Sequence, residues 1–308
     1  MHPSHRPSLN EHLYDVAKVS DDLRHLILHI AMAAKYVHAA IRTTEAGLAG
    51  SKNQFGEDQL KLDVLSDEII SRHLHESHLV AEYASEEQSQ IITLETNAPF
   101  TVAYDPLDGS SLVDANFAIG SIFGIYPGTS LIGRKPSEQV AALYVLYGPR
   151  TLLVYSTGAS VHLFILNEVG EFILLRENLG IADSAKTYSP GNLAAVTEDA
   201  PYRTVLDYWI SGKRTLRYSG CMVADVHHIL SKGQGVFTYP AGTKNPNGKL
   251  RLAFECGPFA YIVEAAGGAA SDGSKRILDI PIREIDQRAP IIVGSKDEVA
   301  AVCKLLTA

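Results

Sequence analysis

The sequence predicts an α/β protein, and three observations predict it. A long amphipathic helical pattern stands near the N-terminus, closely spaced apolar stretches fill the middle, and from about Arg176 helical and extended patterns alternate. The first helix is expected from about Asp21 to Ala46, with Leu23, Leu26, Ile27, Ile30, Ala34, Val37 and Ile41 on one face. Gly47 and Gly50 are expected to end it, and Ser51-Lys52-Asn53 to continue as a loop. A second helix is expected over Gln59 to Glu76, with Asp63 near its start among apolar Leu60, Leu62, Val64 and Leu65.

Thr101-Val102-Ala103-Tyr104 reads as a buried strand. Further strands are expected over Asn116 to Tyr126, Val140 to Tyr147, Thr151 to Ser156, Val161 to Leu166 and Phe172 to Leu175. Turns such as Gly148-Pro149 and Asn167-Glu168 separate them without intervening helices, which implies antiparallel pairing. Beyond Arg176, Pro201 to Ile210 and Met222 to Ser231 read as helices, and Gly235 to Tyr239 as extended. Glu255 to Ala266 reads as a helix with Pro258 in its first turn. Ile291 to Val293 is a short strand, and Ser295-Lys296-Asp297-Glu298 has the form of a capping box opening the last helix.

The 308 residues suffice for two ordinary domains or one large two-lobed unit, and 46% hydrophobic content supports a substantial core. No linker composition interrupts the chain, and the division is drawn at 1–182 and 183–308. The net charge of -8 argues against nonspecific nucleic-acid binding and against an anionic membrane surface. It leaves room for an anionic substrate, because a bound metal reverses the local field. The three cysteines, Cys221, Cys256 and Cys303, have no C-x-x-C spacing and fit a reducing compartment. Residues Met1 to Pro7 lack the apolar core of a signal peptide, and no apolar stretch is long enough to span a bilayer. The cytoplasm is the expected location.

The run Asp105-Pro106-Leu107-Asp108-Gly109-Ser110-Ser111 carries the chemistry. Asp-Pro and Asp-Gly alone are ordinary turn dipeptides. Fused after an apolar strand, they set two carboxylates and a backbone carbonyl in one small turn, as Mg²⁺-like ions and the phosphates they recruit require. Gly109, Ser110 and Ser111 add N–H groups and hydroxyls for an anion. Glu86 and Glu87 form a second acidic cluster. An isolated Glu-Glu pair is ordinarily a solvated turn; beside the Asp105 turn, one could ligate metal and the other act on water. Glu255, in an apolar stretch after Leu252, Ala253 and Phe254, must be paired if buried, and metal coordination is one such pairing. His73, His75 and His78 read as an exposed helix end, His227-His228 as helix decoration, Cys256 as a small core residue, and Trp209 as helix packing.

The heptad from Asp105 to Ser111 resembles the signature of the metal-dependent, lithium-sensitive sugar-phosphatase superfamily. The chain from about residue 20 to 306 resembles one branch, the class I fructose-1,6-bisphosphatases. The matching stretches include Leu62-Asp63-Val64-Leu65-Ser66, Ser85-Glu86-Glu87, Arg217-Tyr218, Lys249-Leu250-Arg251-Leu252 and Gln287-Arg288-Ala289-Pro290. The resemblance implies an α-β-α-β-α layered sandwich, with a metal- and phosphate-binding N-terminal half and a sugar-phosphate-binding C-terminal half. It implies that Glu86, Asp105, the Leu107 carbonyl, Asp108 and Glu255 hold two or more Mg²⁺ ions per subunit, Mn²⁺ being the alternative. Asp63 and Glu87 match residues that help deprotonate the attacking water, and Asp108 to Ser111 match a turn that holds the sugar and the reacting phosphate. Asn192, Tyr218, Tyr239 and Lys249 match residues that grip the distal phosphate and sugar. Arg217 matches an arginine that reaches into a neighbouring subunit's site, which implies a homo-oligomer, with a tetramer the family's usual assembly. The physical requirements agree: a dianionic phosphate repels a nucleophile until its charge is neutralised, and a distal phosphate needs cations and hydroxyls.

The pattern departs from the family in three places. Leu13-Tyr14-Asp15-Val16-Ala17-Lys18 stands where some members carry a Gly-Thr-Gly-Glu-type AMP loop, so AMP inhibition is not implied. Ser189-Pro190-Gly191-Asn192-Leu193 resembles the sedoheptulose-1,7-bisphosphatase form, and Ala195 replaces a tyrosine that helps hold the distal phosphate. No cysteine-bearing insertion of the plastid type is present. Tyr239 and Thr243 to Lys249 point back to fructose 1,6-bisphosphate, which is the expected substrate; a seven-carbon or dual specificity is the alternative. An inositol-phosphate or nucleotide-phosphate phosphatase would not need Arg217-Tyr218 and Lys249-Leu250-Arg251 as a distal clamp. A silent metabolite-binding protein would not need every carboxylate in place.

Overall fold

The computed structural model describes residues 6–44, 47–52 and 58–307. The elements run in chain order as α1 (Leu9–Glu11), α2 (Asp21–Thr43), β1 (Leu48–Lys52), β2 (Asp58–Leu60), α3 (Lys61–Ser77), β3 (Val80–Ser85), β4 (Ile92–Thr93), β5 (Phe100–Asp108), β6 (Ile119–Pro127), β7 (Ala141–Tyr147), β8 (Thr151–Ser156), β9 (Val161–Leu166) and β10 (Phe172–Arg176). There follow β11 (Thr187–Pro190), α4 (Ala200–Ser211), β12 (Thr215–Leu216), α5 (Met222–Lys232), β13 (Val236–Tyr239), α6 (Gly257–Ala265), β14 (Ala269–Ser271), β15 (Ile291–Gly294) and α7 (Lys296–Leu306).

Eight strands form one sheet in the order β10-β9-β8-β7-β6-β5-β3-β4, and five form a second in the order β12-β11-β13-β15-β14. The meander from β5 to β10 is antiparallel throughout, as the short connections require, whereas β3 and β5 are parallel. In the second sheet β11 runs parallel to β12 and β13, and β15 antiparallel to β13 and β14.

Alternation along the strands sorts side chains into layers. Val102, Tyr104, Phe123, Ile125, Leu143 and Val145 pack with Leu26, Ile27, Ile30 and Val37 of α2 and Leu62 and Ile70 of α3. Their neighbours Ala103, Ile122, Tyr144 and Val154 face the other way, onto Val223 and Val226 of α5 and Phe259, Ile262 and Val263 of α6. The same middle layer takes Phe237 and Val293 from the second sheet. Val236 and Ile292, one residue away, cover Tyr202, Val205 and Trp209 of α4 and Val299 and Val302 of α7. The result is the expected α-β-α-β-α sandwich.

The structure corrects several local expectations. Helix α2 ends at Thr43, and Leu48–Lys52 forms a strand with Asp58–Leu60 in place of the expected loop. Ala46 and Asn53 lie outside the described residues. Asn116 has a left-handed backbone (φ 57°), which delays the following strand to Ile119. The capping box at Ser295 does not form. The Ser295 hydroxyl accepts from the Gly235 N–H and donates to the Ser184 carbonyl, while the Glu298 carboxylate takes the Trp209 indole N–H at 2.7 Å and Arg214 at 2.7 Å. Buried polar groups on the neighbouring strand and helix thus outcompete the local cap. His227 does not decorate a surface: its ring is fixed between Tyr144 Oη and Ser231 Oγ, 2.8 and 2.9 Å away.

Candidate active site

The site lies where the two sheets and α5 converge. Strands β3 and β5 are parallel with Ser85 opposite Tyr104, so Glu86 and Asp105 follow side by side on adjacent strands. Along β5 the pairing with β6 slips between Asp105, opposite Ile122, and Asp108, opposite Gly120. In a regular strand, residues three apart face opposite sides; this bulge turns both carboxylates the same way. The bulge is pinned by Ser121 Oγ donating to the Pro106 carbonyl at 2.7 Å and by the Leu107 N–H donating to Asp105 Oδ1 at 2.8 Å.

Glu255 arrives from the other half of the chain. Residues Leu252–Cys256 form one wide π-helical turn ahead of α6, not the α-helix expected from Glu255 onward, and Glu255 Oε2 accepts the Arg251 N–H at 2.6 Å. Pro258 occupies the first turn of α6, as expected. Asp108 is oriented by α5: its Oδ2 accepts the Val223 N–H at 2.7 Å and lies 3.1 Å from Cys221 Sγ. One oxygen each from Asp105, Asp108 and Glu255 lie within 4.8 Å of one another.

This grouping fits a hard divalent cation, because the donors are all oxygen and burial leaves their charge poorly solvated. Desolvation, followed by the charges of Glu86, Asp108 and Glu255, pushes the Asp105 carboxyl well above the usual range. Glu255 is raised for the same reason, with Glu86 and Asp108 as its neighbours. Asp108 is raised by burial against the opposing effect of the Val223 N–H. A cation would relieve all three costs together.

Glu86 stands apart from that trio, its carboxylate against the Arg251 guanidinium, while still close enough to load Asp105 and Glu255 electrostatically. The loop after β3 that carries Glu86 and Glu87 is fixed through buried Asp67, which accepts from Ser85 Oγ, Tyr104 Oη and Gln88 Nε2. Ser85 Oγ in turn accepts the Glu87 N–H at 3.2 Å. Asp63 sits in the first turn of α3, accepts the Leu60 N–H at 3.0 Å, and is raised by burial.

A cleft of about 430 Å³ collects Asp63, Glu86, Glu87, Asp105, Leu107, Asp108, Gly109, Ser110 and Ser111 with Tyr218, Tyr239, Lys249, Arg251 and Glu255. Two expected residues do not line it. Asn192, itself left-handed (φ 49°), spends its amide on the Pro240 carbonyl, and Arg217 is exposed and donates to the Leu216 carbonyl. Ala195 is also outside the cleft, buried among Tyr188, Tyr202 and Trp209. The sequence reading places Arg251 only within a distal clamp, not against Glu86, and gives Asp67 and Cys221 no role. Arg251 was visible as a cation amid apolar Leu250, Leu252 and Ala253, which demands a buried acid; Asp67 was visible four residues, one helical turn, beyond Asp63. Nothing in the sequence placed Cys221 against Asp108.

A carboxylate cage facing a lysine and tyrosines across one cleft, on a five-layer sandwich, defines a metal-dependent phosphatase. Residues 9–177 match the family model for the N-terminal domain of fructose-1-6-bisphosphatase, and residues 181–307 match that for its C-terminal domain. The chain belongs to the class I fructose-1,6-bisphosphatase family. It is 48% identical over 300 residues to the class 1 fructose-1,6-bisphosphatase of Pelobacter propionicus, covering 97% of this chain and 92% of that one. To the Geobacter sulfurreducens protein of the same name it is 48% identical, covering 94% and 92%. Among solved structures, a putative sedoheptulose-1,7 bisphosphatase from Toxoplasma gondii superposes with a TM-score of 0.91 at 34% identity, covering 98% of both chains. Leishmania major fructose-1,6-bisphosphatase in holo form superposes with a TM-score of 0.92 at 31% identity, covering 98% and 99%.

Proposed function

We propose that the chain hydrolyses the 1-phosphate of fructose 1,6-bisphosphate to fructose 6-phosphate and inorganic phosphate. One observation carries the reading. The clustered acids Asp105, Asp108 and Glu255 share a single cleft with Lys249, Tyr218 and Tyr239, so one phosphate can meet cations at the cage while a second is gripped at the other end. The relatives that carry the fructose-1,6-bisphosphatase name, matched over most of this chain, support the same substrate.

In this reading Glu86, Asp105, the Leu107 carbonyl, Asp108 and Glu255 would hold two or more Mg²⁺ ions, which when bound would neutralise phosphate charge and acidify the attacking water. Asp63 and Glu87 accept the water proton; burial, which raises Asp63, keeps it basic enough for that work. Gly109, Ser110 and Ser111 orient the reacting phosphate and sugar. Lys249 supplies a positive charge to the distal phosphate, with the Tyr218 hydroxyl, raised to about 12 chiefly by burial, as a neutral donor. Residues 1–182 thus supply most of the cage and 183–308 most of the sugar-phosphate grip. The exposed Arg217, turned away from its own cleft, suits a homo-oligomer in which it serves a neighbour, and the same reading gives Asn192 a distal-phosphate role after rearrangement. Among the described residues no helix is long and apolar enough to cross a membrane, and the three free thiols suit a cytoplasmic enzyme.

A second reading, hydrolysis of sedoheptulose 1,7-bisphosphate, is favoured by the likeness to the Toxoplasma protein. Phosphate release by purified protein with Mg²⁺ is expected on fructose 1,6-bisphosphate and not on inositol monophosphate. Turnover of the seven-carbon bisphosphate alone would replace the first reading by the second.

A further inference from the structure

A second cavity, of about 380 Å³, opens beside the C-terminal end of α5, between β8, β9 and β10 and that helix. Arg150, Arg176, Lys232, Ser231 and His227 line it over leucine side chains, and no carboxylate does. None of the three cations has an ion-pair partner among the described residues. In a protein of net charge -8, three exposed cations gathered around one hollow make a local patch of opposite sign.

Their geometry is partly fixed. Arg176 Nη1 donates to the Ser231 carbonyl at 3.0 Å, which uses one of its five N–H groups and anchors the guanidinium at the rim. Ser231 Oγ is held by His227 Nε2, and His227 is held by Tyr144. Burial and the nearby Arg176 push His227 down to about 4, so it adds no positive charge near neutral pH. The attraction therefore comes from two guanidinium forks and one ammonium. Guanidinium forks match the paired oxygens of a phosphate, and an ammonium adds a point charge to the dianion. The leucines offer a surface for a short carbon skeleton.

We propose that this pocket binds the phosphate group of a small organic phosphate. The site is separate from the catalytic cleft, with which it shares no residue. It is nonetheless joined to it by α5, a rod of about 16 Å whose first turn holds Asp108 through the Val223 N–H and whose last turn lines this pocket.

Isothermal titration of the metal-free full chain with glycerol 3-phosphate at low ionic strength tests the assignment. Saturable binding is expected for the wild type, weakened about tenfold or more in Arg150→Gln/Arg176→Gln, and unchanged in Lys249→Ala. Should the double variant lose its fold by circular dichroism, Lys232→Gln, on an exposed helix end, carries the test with an expected several-fold weakening. Loss of binding in Lys249→Ala alone would place the phosphate in the catalytic cleft and overturn the assignment. So would equal binding by all variants, or no saturable binding by the wild type.

Discussion

Arg251 buries its guanidinium against the carboxylate of Glu86 and, through Nε, lies 2.9 Å from Asp286. Arg251 thus sets a cation in the wall of a cage built from acids. Its charge pairs with Glu86 and opposes the burial that raises Glu255. Replacing Arg251 by Met should strand these charges, at a cost of about 3–5 kcal/mol, the usual result of removing one partner from a buried pair. The fall in melting temperature is expected to be larger in chelator than in saturating Mg²⁺. Equal losses under both conditions would show that Arg251 does not offset the cage.

Asp108 serves the cage and α5 together. Asp108→Asn keeps an acceptor for the Val223 N–H but removes the charge. It should lower kcat more than about a hundredfold, beyond what loss of an outer metal contact costs, with the circular dichroism spectrum unchanged. An unchanged rate in the folded variant would remove Asp108 from the mechanism.

Gly109 adopts φ 79°, and a Cβ placed there would lie 2.8 Å from the Cys221 Cβ. Gly109→Ala therefore meets both left-handed strain of about 1–2 kcal/mol and a clash with the residue that opens α5. A fall in kcat/KM of about tenfold or more is expected, with only a modest drop in melting temperature. A variant with wild-type kinetics would show that the turn tolerates a shift of Cys221.

His162 is buried against His12 and Tyr155 beneath the N-terminal segment, and burial pushes it down to about 4. A histidine depressed in the folded state binds more protons when unfolded. Its contribution to stability is therefore complete above about pH 6.5 and is lost as pH falls towards 4. Urea unfolding should show wild type losing ground to His162→Asn as pH drops from 7 to 5. A constant gap between the two would mean that His162 does not titrate on unfolding.

Fold and cage were legible to different depths. The meander from Phe100 to Arg176 could be read because each strand alternates or is wholly apolar and each turn carries Gly, Pro or Asn. The Asp105 turn could be read because its ligand chemistry is compressed into seven residues. Glu298 could not: Ser295-x-x-Glu298 satisfies every local rule for a cap, and only the buried Trp209 indole and Arg214, more than 80 residues away, redirect it. The buried pairing of Arg251, read only as part of a distal clamp, escaped for a similar reason, since Glu86 and Asp286 lie far along the chain on either side.

Asp105 and Glu255 meet although about 150 residues separate them, one belonging to the eight-stranded layer and the other to the turn that leads into α6. An ion shared between them would close a very long loop and rivet the first half of the chain to the second. For this cysteine-poor protein it would do the work that a disulfide does in a secreted one. Chelation should therefore loosen the seam between the halves as well as silence the chemistry, making the protein easier to nick there by protease.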